Sequence, residues 1–565
     1  MPRYVNLIDA LNAAPGERLF ITYWVNEDEQ ETVTFEQFRC RARRQAEAIR
    51  AKGVSRGDRV IIIMAQGISA MTVFAAAMML GAAPAFLAYP NYKVEPSKYR
   101  SGLAGVTANL NAKLVVIDEQ FPDDLLEHVS LGDGTVPYRA NDKEVGYAKA
   151  KIIDSSYPAD CVAFIQHSAG TTGLQKGVAL THAAVLRQLE HLAQALGIDG
   201  CEDKIYSWLP LYHDMGLIAC FMLPMAYHIP VVMQSPLDWV MQPETMLQVM
   251  SDHKCTLAWL PNFTFQFVSR RTRPSRRALY DLSSVRALIN CSEPVRAASM
   301  QEFHEKFAAS GIKTAALQSS YAMAENVFAV TQSDITSGSG PGHIWANASR
   351  FRNSREILKV ANGVPDAICF TSSGSVLANH EIRITSDAGA ALHDGMVGEI
   401  LIKSDCLFEG YYNRPDLTAK AFVDGWYRTG DLGFTLDGEL YVVGRKKDLI
   451  IVGGENLYPQ DIEEIVADHA AIHDGRVIAL GLDNPDLGTQ QIVIVAELES
   501  EDLLAKSEEI EREIRSAVTA DLGVAAGMVF LKPPKWIVKS TAGKPARSTT
   551  LEKLQKEHPE LRIGS

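Results

Sequence analysis

The chain has 565 residues, 47% of them hydrophobic, and a formal charge of −13. That length exceeds one ordinary hydrophobic core, so two or more domains are expected. The acidic balance argues against nucleic-acid binding, whose affinity comes from Lys and Arg on backbone phosphates, and leaves small-molecule chemistry as the class to pursue.

The N-terminal run "MPRYVNLIDALNAAPGERLF" carries Asp9 and Glu17 through its apolar stretch, unlike the uninterrupted core of a signal peptide. The eight cysteines form no CxxC pair and no Cys/His cluster at ligand spacing, so they read as small core residues in a reducing compartment. The cytoplasm is therefore the expected location. Val60 to Met64 reads as a buried strand. Ala70 to Tyr89 is long enough for a membrane span, but Gly81 and Pro84 break it, so it reads as a core helix leading into a strand, with no integral membrane segment expected.

Cys161 to Gln166 is a short apolar strand, and Val185, Leu189, Leu192 and Leu196 mark the buried face of a helix. Between them lies "HSAGTTGLQKG", residues 167 to 177. Its glycines let backbone N–H groups turn toward an anion, while Thr171 and Thr172 add hydroxyls and Lys176 a charge. It is not a Walker A loop, because the lysine precedes the last glycine. On its own residues the stretch is equally a phosphate cradle or a flexible turn.

As far as about residue 445, strands alternate with helical patterns, the signature of an α/β fold of covered sheets. "TSGSGPG", Thr336 to Gly342, is expected to be a mobile loop, and "GRKKD", Gly444 to Asp448, a hinge. Beyond it come a strand, a helix from Pro459, strands near Val477 to Leu480 and Ile492 to Leu498, a helix with Ile510, Ile514 and Val518 on one face, and a strand at Val529 to Leu531. These make a small α+β domain. The expected division is 1–445 and 446–565.

Six further motifs follow the loop in order: "NCSEP" (290–294), "SSYAMAE" (319–325), "GYYNRP" (410–415), "WYRTGDLG" (426–433), "GRKKDLI" (444–450) and "STAGKPAR" (540–547). The set resembles the adenylate-forming superfamily of acyl-CoA synthetases, acyl-AMP ligases, adenylation domains and luciferase, over essentially the whole chain. The resemblance implies a large N-terminal domain of covered β-sheets with a β-barrel-like subdomain, and a small mobile C-terminal domain. It implies ATP and Mg²⁺ as cofactors. Thr171, Thr172, Gly173 and Lys176 would cradle the β- and γ-phosphates; Ser292, Glu293 and Pro294 would edge the adenine; Ser320, Tyr321, Ala322 and Met323 would wall the nucleotide, with Tyr321 on the adenine face. Asp431 and Arg445 would take the ribose, Glu325 the Mg²⁺, Lys447 the hinge, and Lys544 the catalytic charge. The residues suit these roles: a carboxylate accepts from two hydroxyls, hard cations take carboxylate oxygen, and a lysine offsets charge when a carboxylate attacks a phosphate. Ala169, Gln175 and Ala322 depart from the family's usual Ser, Pro and Gly without removing a charge.

"LPLYHDMGLIACFMLPM" (209–225), "SPLDWVMQP" and "LAWLPNFTF" resemble the long-chain branch, most closely the fatty acyl-AMP ligases. There His213 would lie near the acyl carboxylate; by itself it is equally a hydrogen-bonded core histidine. Met215, Met222, Met225, Trp239, Phe263 and Phe265 fit an apolar pocket and equally a core. The 56 positions from Glu325 to Glu381, about twice the length in a compact acyl-CoA synthetase, resemble the insertion of acyl-AMP ligases, which load a carrier protein's phosphopantetheine rather than free CoA. The expected activity is thus activation of an apolar carboxylic acid, a fatty acid, to acyl-AMP, then transfer to an acyl carrier protein. The alternatives are transfer to CoA, a peptide-synthetase adenylation domain, for which an F-D-x-S-like context is absent, and a degenerate binder without turnover.

Overall fold

The computed structural model describes residues 4–90, 96–130, 136–140, 153, 155–167, 176–198, 200, 202–453, 455–484, 489–539 and 544–561. A nine-stranded sheet forms its centre. Six of its strands run parallel and side by side: Leu317–Ala322, Ala287–Asn290, Leu257–Leu260, Ile205–Ser207, Val231–Gln234 and Leu19–Asn26. Three of them, LAWL at 257–260, ALIN at 287–290 and VVMQ at 231–234, are short, near-continuous apolar runs because both faces are covered, as parallel sheets require. A second, four-stranded parallel sheet (Ala83–Phe86, Arg59–Ile63, Leu114–Ile117, Val136–Arg139) is covered by the helix Ile68–Met79, eleven of whose twelve residues are buried. A helix apolar all round belongs inside. No helix among the described residues is long and apolar enough to cross a membrane.

An antiparallel trio, Val162–His167, Gly177–Thr181 and Gly410–Tyr411, frames Lys176. The strand and the helix His182–Ala195 lie where the sequence predicts them. The antiparallel sheet of His380–Thr385, Gly398–Ser404, Trp426–Leu436, Phe422–Val423 and Glu439–Arg445 has a core on each side of it, around Phe434 and Ile400. The long stretch after Glu325 is built of ordered elements: strands Ala329–Gln332, His343–Asn347 and Ala367–Thr371 and the helix Ala348–Ser354. Within it, Thr336 to Gly342 forms turns tied down at Asp334, whose carboxylate accepts the Thr336 amide at 2.7 Å, and at Ser339, whose carbonyl accepts the Gln318 side chain at 3.2 Å.

From Ile450 onward the chain builds cores of its own. One side of the sheet Ile472–Asn484, Thr489–Leu498 and Ala526–Lys532 packs Ile492 and Ile494 against Ile462, Ile510, Ile514 and Val518; the other packs Ile478 and Val493 against Ile537 and Leu554. The helices Pro459–Ala467 and Ser507–Leu522 bury the stripes that the 3.6-residue period marks.

Candidate active site

The parallel strands explain where the site is. Ligands of open α/β sheets sit beyond the carboxyl ends of the strands, and here five neighbouring strands each deliver cavity residues just past or at their last position. Ser207 leads to Trp208–Met215, Gln234 to Pro236 and Leu237, Leu260 to Pro261 and Phe263, Asn290 to Ser292, and Ala322 to Glu325. The cavity has a volume of about 750 Å³. The hairpin carrying Asp431 and Arg445, the 3₁₀ turn Lys446–Asp448 and the C-terminal Lys544 close it from the other side.

Local chemistry sets each group. The Leu209–Asp214 loop folds over the start of a π-helix, Met215–Met222, a form that concentrates at functional sites. Asp214 caps it, accepting the Met215 amide at 2.8 Å. Gly216 is needed there because a Cβ would stand 2.3 Å from the Pro210 carbonyl oxygen. Burial, aided by the Lys544 charge, pushes His213 down to about 3, so its imidazole is neutral, and its buried Nε2 has no partner among the described residues. Burial pushes the Asp214 carboxyl up to about 6.

Ser292 sits at φ +70°, a left-handed conformation that costs a non-glycine residue about 1–2 kcal/mol. Its carbonyl accepts the Lys544 ammonium, 252 residues away in sequence. Across the cavity, Asp431 and Arg445 are direct partners in an antiparallel register, with Nε 3.5 Å from Oδ1. Burial raises the Asp431 carboxyl, and Arg445 and Tyr321 oppose that. Glu325 accepts the Tyr411 hydroxyl at 2.8 Å, and Lys176 lies 4.5 Å from the centre of the Tyr411 ring.

Lys176, His213, Ser292, Ala322, Met323, Glu325, Asp431, Arg445, Lys447 and Lys544 are thus brought to one cavity. Four others expected there do not line it. Tyr321 points behind the wall and donates its hydroxyl to Asp431 Oδ2 at 2.7 Å; Ser320 donates to the Thr331 carbonyl at 2.7 Å, on the buried sheet. Glu293 accepts the Phe263 amide at 3.1 Å, and Pro294 is exposed. Of the six apolar candidates only Met215 and Phe263 reach the cavity; Met222, Met225, Trp239 and Phe265 are core, though Trp239 backs the lining residue Trp208, stacked at 3.7 Å and 6°. Thr171, Thr172 and Gly173 lie outside the described residues. Sequence reasoning missed Tyr411, Tyr427 and Thr429, although its quoted motifs contain them. Gln166 ends the predicted strand and His167 opens the loop 167–177, yet nothing in their local pattern marks either as a cavity residue. Both are buried on the cavity, with side-chain nitrogen and oxygen atoms unpartnered among the described residues.

Residues 9–412 match the AMP-binding enzyme family. The chain belongs to that family. It is an adenylate-forming ligase, and members of the family use ATP with Mg²⁺ and pass through an acyl adenylate. It is 31% identical over 562 residues to a 4-hydroxyphenylalkanoate adenylyltransferase of Mycobacterium marinum, covering 95% of this chain and 88% of the relative. It is 28% identical over 556 residues to the long-chain-fatty-acid–AMP ligase FadD28 of Mycobacterium tuberculosis, covering 93% and 92%. A solved structure from a study of the fatty acyl-adenylate ligases of E. coli and L. pneumophila superimposes with a TM-score of 0.90 at 25% identity, covering 99% of this chain and 98% of that one. The cavity lining joins a charged part, with Lys176, Glu325, Asp431 and Arg445, to an apolar arm with Trp208, Leu237 and Phe263.

Proposed function

We propose that this ligase activates an apolar carboxylic acid, a fatty acid, to acyl-AMP and then loads the phosphopantetheine thiol of a carrier protein. In the first step a carboxylate oxygen of the acid attacks the α-phosphorus of ATP, the bond from that phosphorus to the β-bridging oxygen breaks, and pyrophosphate leaves. In the second the thiol sulfur attacks the acyl carbonyl carbon, the bond to AMP breaks, and the thiol proton is released.

One contact supports the first step most. Lys544 reaches the Ser292 carbonyl beside His213 and Asp214, which supports a cation that acts where the acid carboxylate attacks the α-phosphate. There it offsets charge that builds only in the transition state. Neutral His213 is suited to hold the acid through Nε2. Asp431 and Arg445 suit the ribose and Lys176 the phosphates, as Thr171, Thr172 and Gly173 do by resemblance. Glu325, half-buried on the cavity with one oxygen steadied by Tyr411, has the hard oxygen donor that Mg²⁺ prefers. The bound ion supplies neutralisation of phosphate oxygens. Trp208 and Phe263 in the apolar arm also suit a ring-bearing acid, the class named for the M. marinum relative.

For the second step we place the domain boundary at 445/446, with Lys447 as pivot. The long insertion is packed on the segment just past that pivot. Phe351 stacks on Tyr458 at 4.9 Å and 16°, Asn456 donates to the Arg352 carbonyl at 3.0 Å, and Arg355 donates to Asn456 Oδ1 at 3.1 Å. These contacts raise the energy of any orientation that swings the C-terminal domain away, and so favour a carrier protein over free CoA. The test is pyrophosphate release with a panel of fatty and arylalkanoic acids, then transfer to CoA and to phosphopantetheinylated carrier proteins. Fatty-acid-dependent release with faster carrier loading is expected. Rapid acyl-CoA synthesis overturns the acceptor, and release with no acid overturns the ligase reading.

A further inference from the structure

Just past Glu325 the backbone takes a conformation that its residue disfavours. Val327 has φ +62° and ψ −54°, and the Phe328 amide donates to the Asn326 carbonyl at 2.7 Å. This is a γ-turn with positive φ on a β-branched residue, which is rare and strained. Such strain persists only where the surroundings over-determine it.

Here they do. Asn326 is fully buried and its amide is completely satisfied. Its nitrogen donates to the Ala329 carbonyl at 2.8 Å and to His380 Nε2 at 2.9 Å, and its oxygen accepts the Ser404 hydroxyl at 2.5 Å. His380 Nδ1 lies 2.8 Å from the Ala378 carbonyl, which assigns the proton to Nδ1 and leaves Nε2 as the acceptor. Gln188 Oε1 accepts the Phe328 amide at 3.2 Å. The partners come from the helix His182–Ala195 and the strands His380–Thr385 and Gly398–Ser404, so three elements converge on one turn. None of Gln188, Asn326, His380 and Ser404 lines the cavity. Their common output is the direction in which the chain leaves Glu325, whose own carbonyl accepts the Phe408 amide at 2.9 Å.

We infer that Asn326 and His380 are positioning residues, which hold the Val327 turn and thereby aim the Glu325 carboxylate into the cavity. The inference rests on the proposed role of Glu325 toward Mg²⁺·ATP. The carboxylate has three side-chain torsions of its own, so a fixed backbone and the Tyr411 bond together leave it one useful placement.

The test is the affinity of the full-length protein for Mn²⁺ in the presence of ATP, read by the electron-paramagnetic-resonance signal of free Mn²⁺, alongside KM for the acid at saturating Mg²⁺ and the Tm. Glu325→Gln is the reference and should weaken Mn²⁺ binding at least tenfold. Asn326→Ala and His380→Ala should each weaken it by about tenfold and leave the acid KM unchanged. His380→Gln, whose amide oxygen can accept the same Asn326 hydrogen, should stay within threefold of the parent. If Asn326→Ala fails to fold, the His380 pair decides. Folded Asn326→Ala or His380→Ala protein with parental Mn²⁺ affinity, or with acid and metal affinity falling in parallel, overturns the inference. Parental affinity in Glu325→Gln overturns instead the role of Glu325.

Discussion

Lys544 and Asp214 line one cavity, where burial raises the Asp214 carboxyl and the Lys544 charge opposes it, and each yields a prediction at the scale of one side chain. On the role proposed for Lys544, Lys544→Ala removes a cation that offsets developing charge, a loss that typically costs about 10²- to 10³-fold. Acyl-AMP formation, followed as pyrophosphate release, should fall by that factor, while loading from supplied acyl-AMP is largely retained. Asp214 has a folded pKa of about 6, above the ordinary carboxylate value of about 3.9. A raised acid contributes stability that is present below its unfolded pKa and lost as pH rises through the folded one. Asp214→Asn carries no charge to bury, so its Tm relative to the parent should increase between pH 5 and pH 8. A constant difference across that range would show that Asp214 is not held neutral by the fold.

At the scale of elements, the helix Ala348–Ser354 packs on the segment that follows the proposed pivot, through Phe351 on Tyr458. Aromatic pairs of this kind add about 0.5–1.5 kcal/mol beyond the area they bury. Phe351→Leu keeps most of the apolar volume and removes the stack. Release of the C-terminal domain by about 1 kcal/mol should raise CoA-dependent thioester formation about fivefold, with pyrophosphate release nearly unchanged. Unaltered CoA use would move the cause of acceptor choice away from this contact. The sequence revealed the insertion as surplus length but not its docking, because nothing local in "SRFRNSR" says that its aromatic meets Tyr458, 107 positions on.

For the whole molecule, the proposed alternation of one small domain between the two half-reactions turns on the short 3₁₀ turn Lys446–Asp448. Lys447→Pro fixes φ near −65° and deletes an amide donor. Adenylation should survive within a few-fold and thiol loading should fall at least tenfold, measured as pyrophosphate release against acyl transfer to a carrier protein. Loss of both in parallel would place the pivot elsewhere.

Local pattern in the chain was enough to place many elements and to single out the charged motif residues. Apolar periods located the strands at Val60 to Met64 and Cys161 to Gln166, the helices that follow each, and most elements after Asp448, since periodicity is a local consequence of which face is buried. Motif order singled out Lys176, Glu325, Asp431, Arg445 and Lys544, and the fold brings all five to one cavity. Tertiary structure alone decided which neighbours face the ligand. Tyr321 turned its hydroxyl onto Asp431, Trp239 went to the core behind Trp208, and His167 and Asp214 came to the cavity from different sheets. It also decided that Val327 bears a strained turn, held by His380 from 53 residues away. Burial and hydrogen-bond satisfaction depend on what packs from elsewhere in the chain, and no local pattern encodes a distant partner.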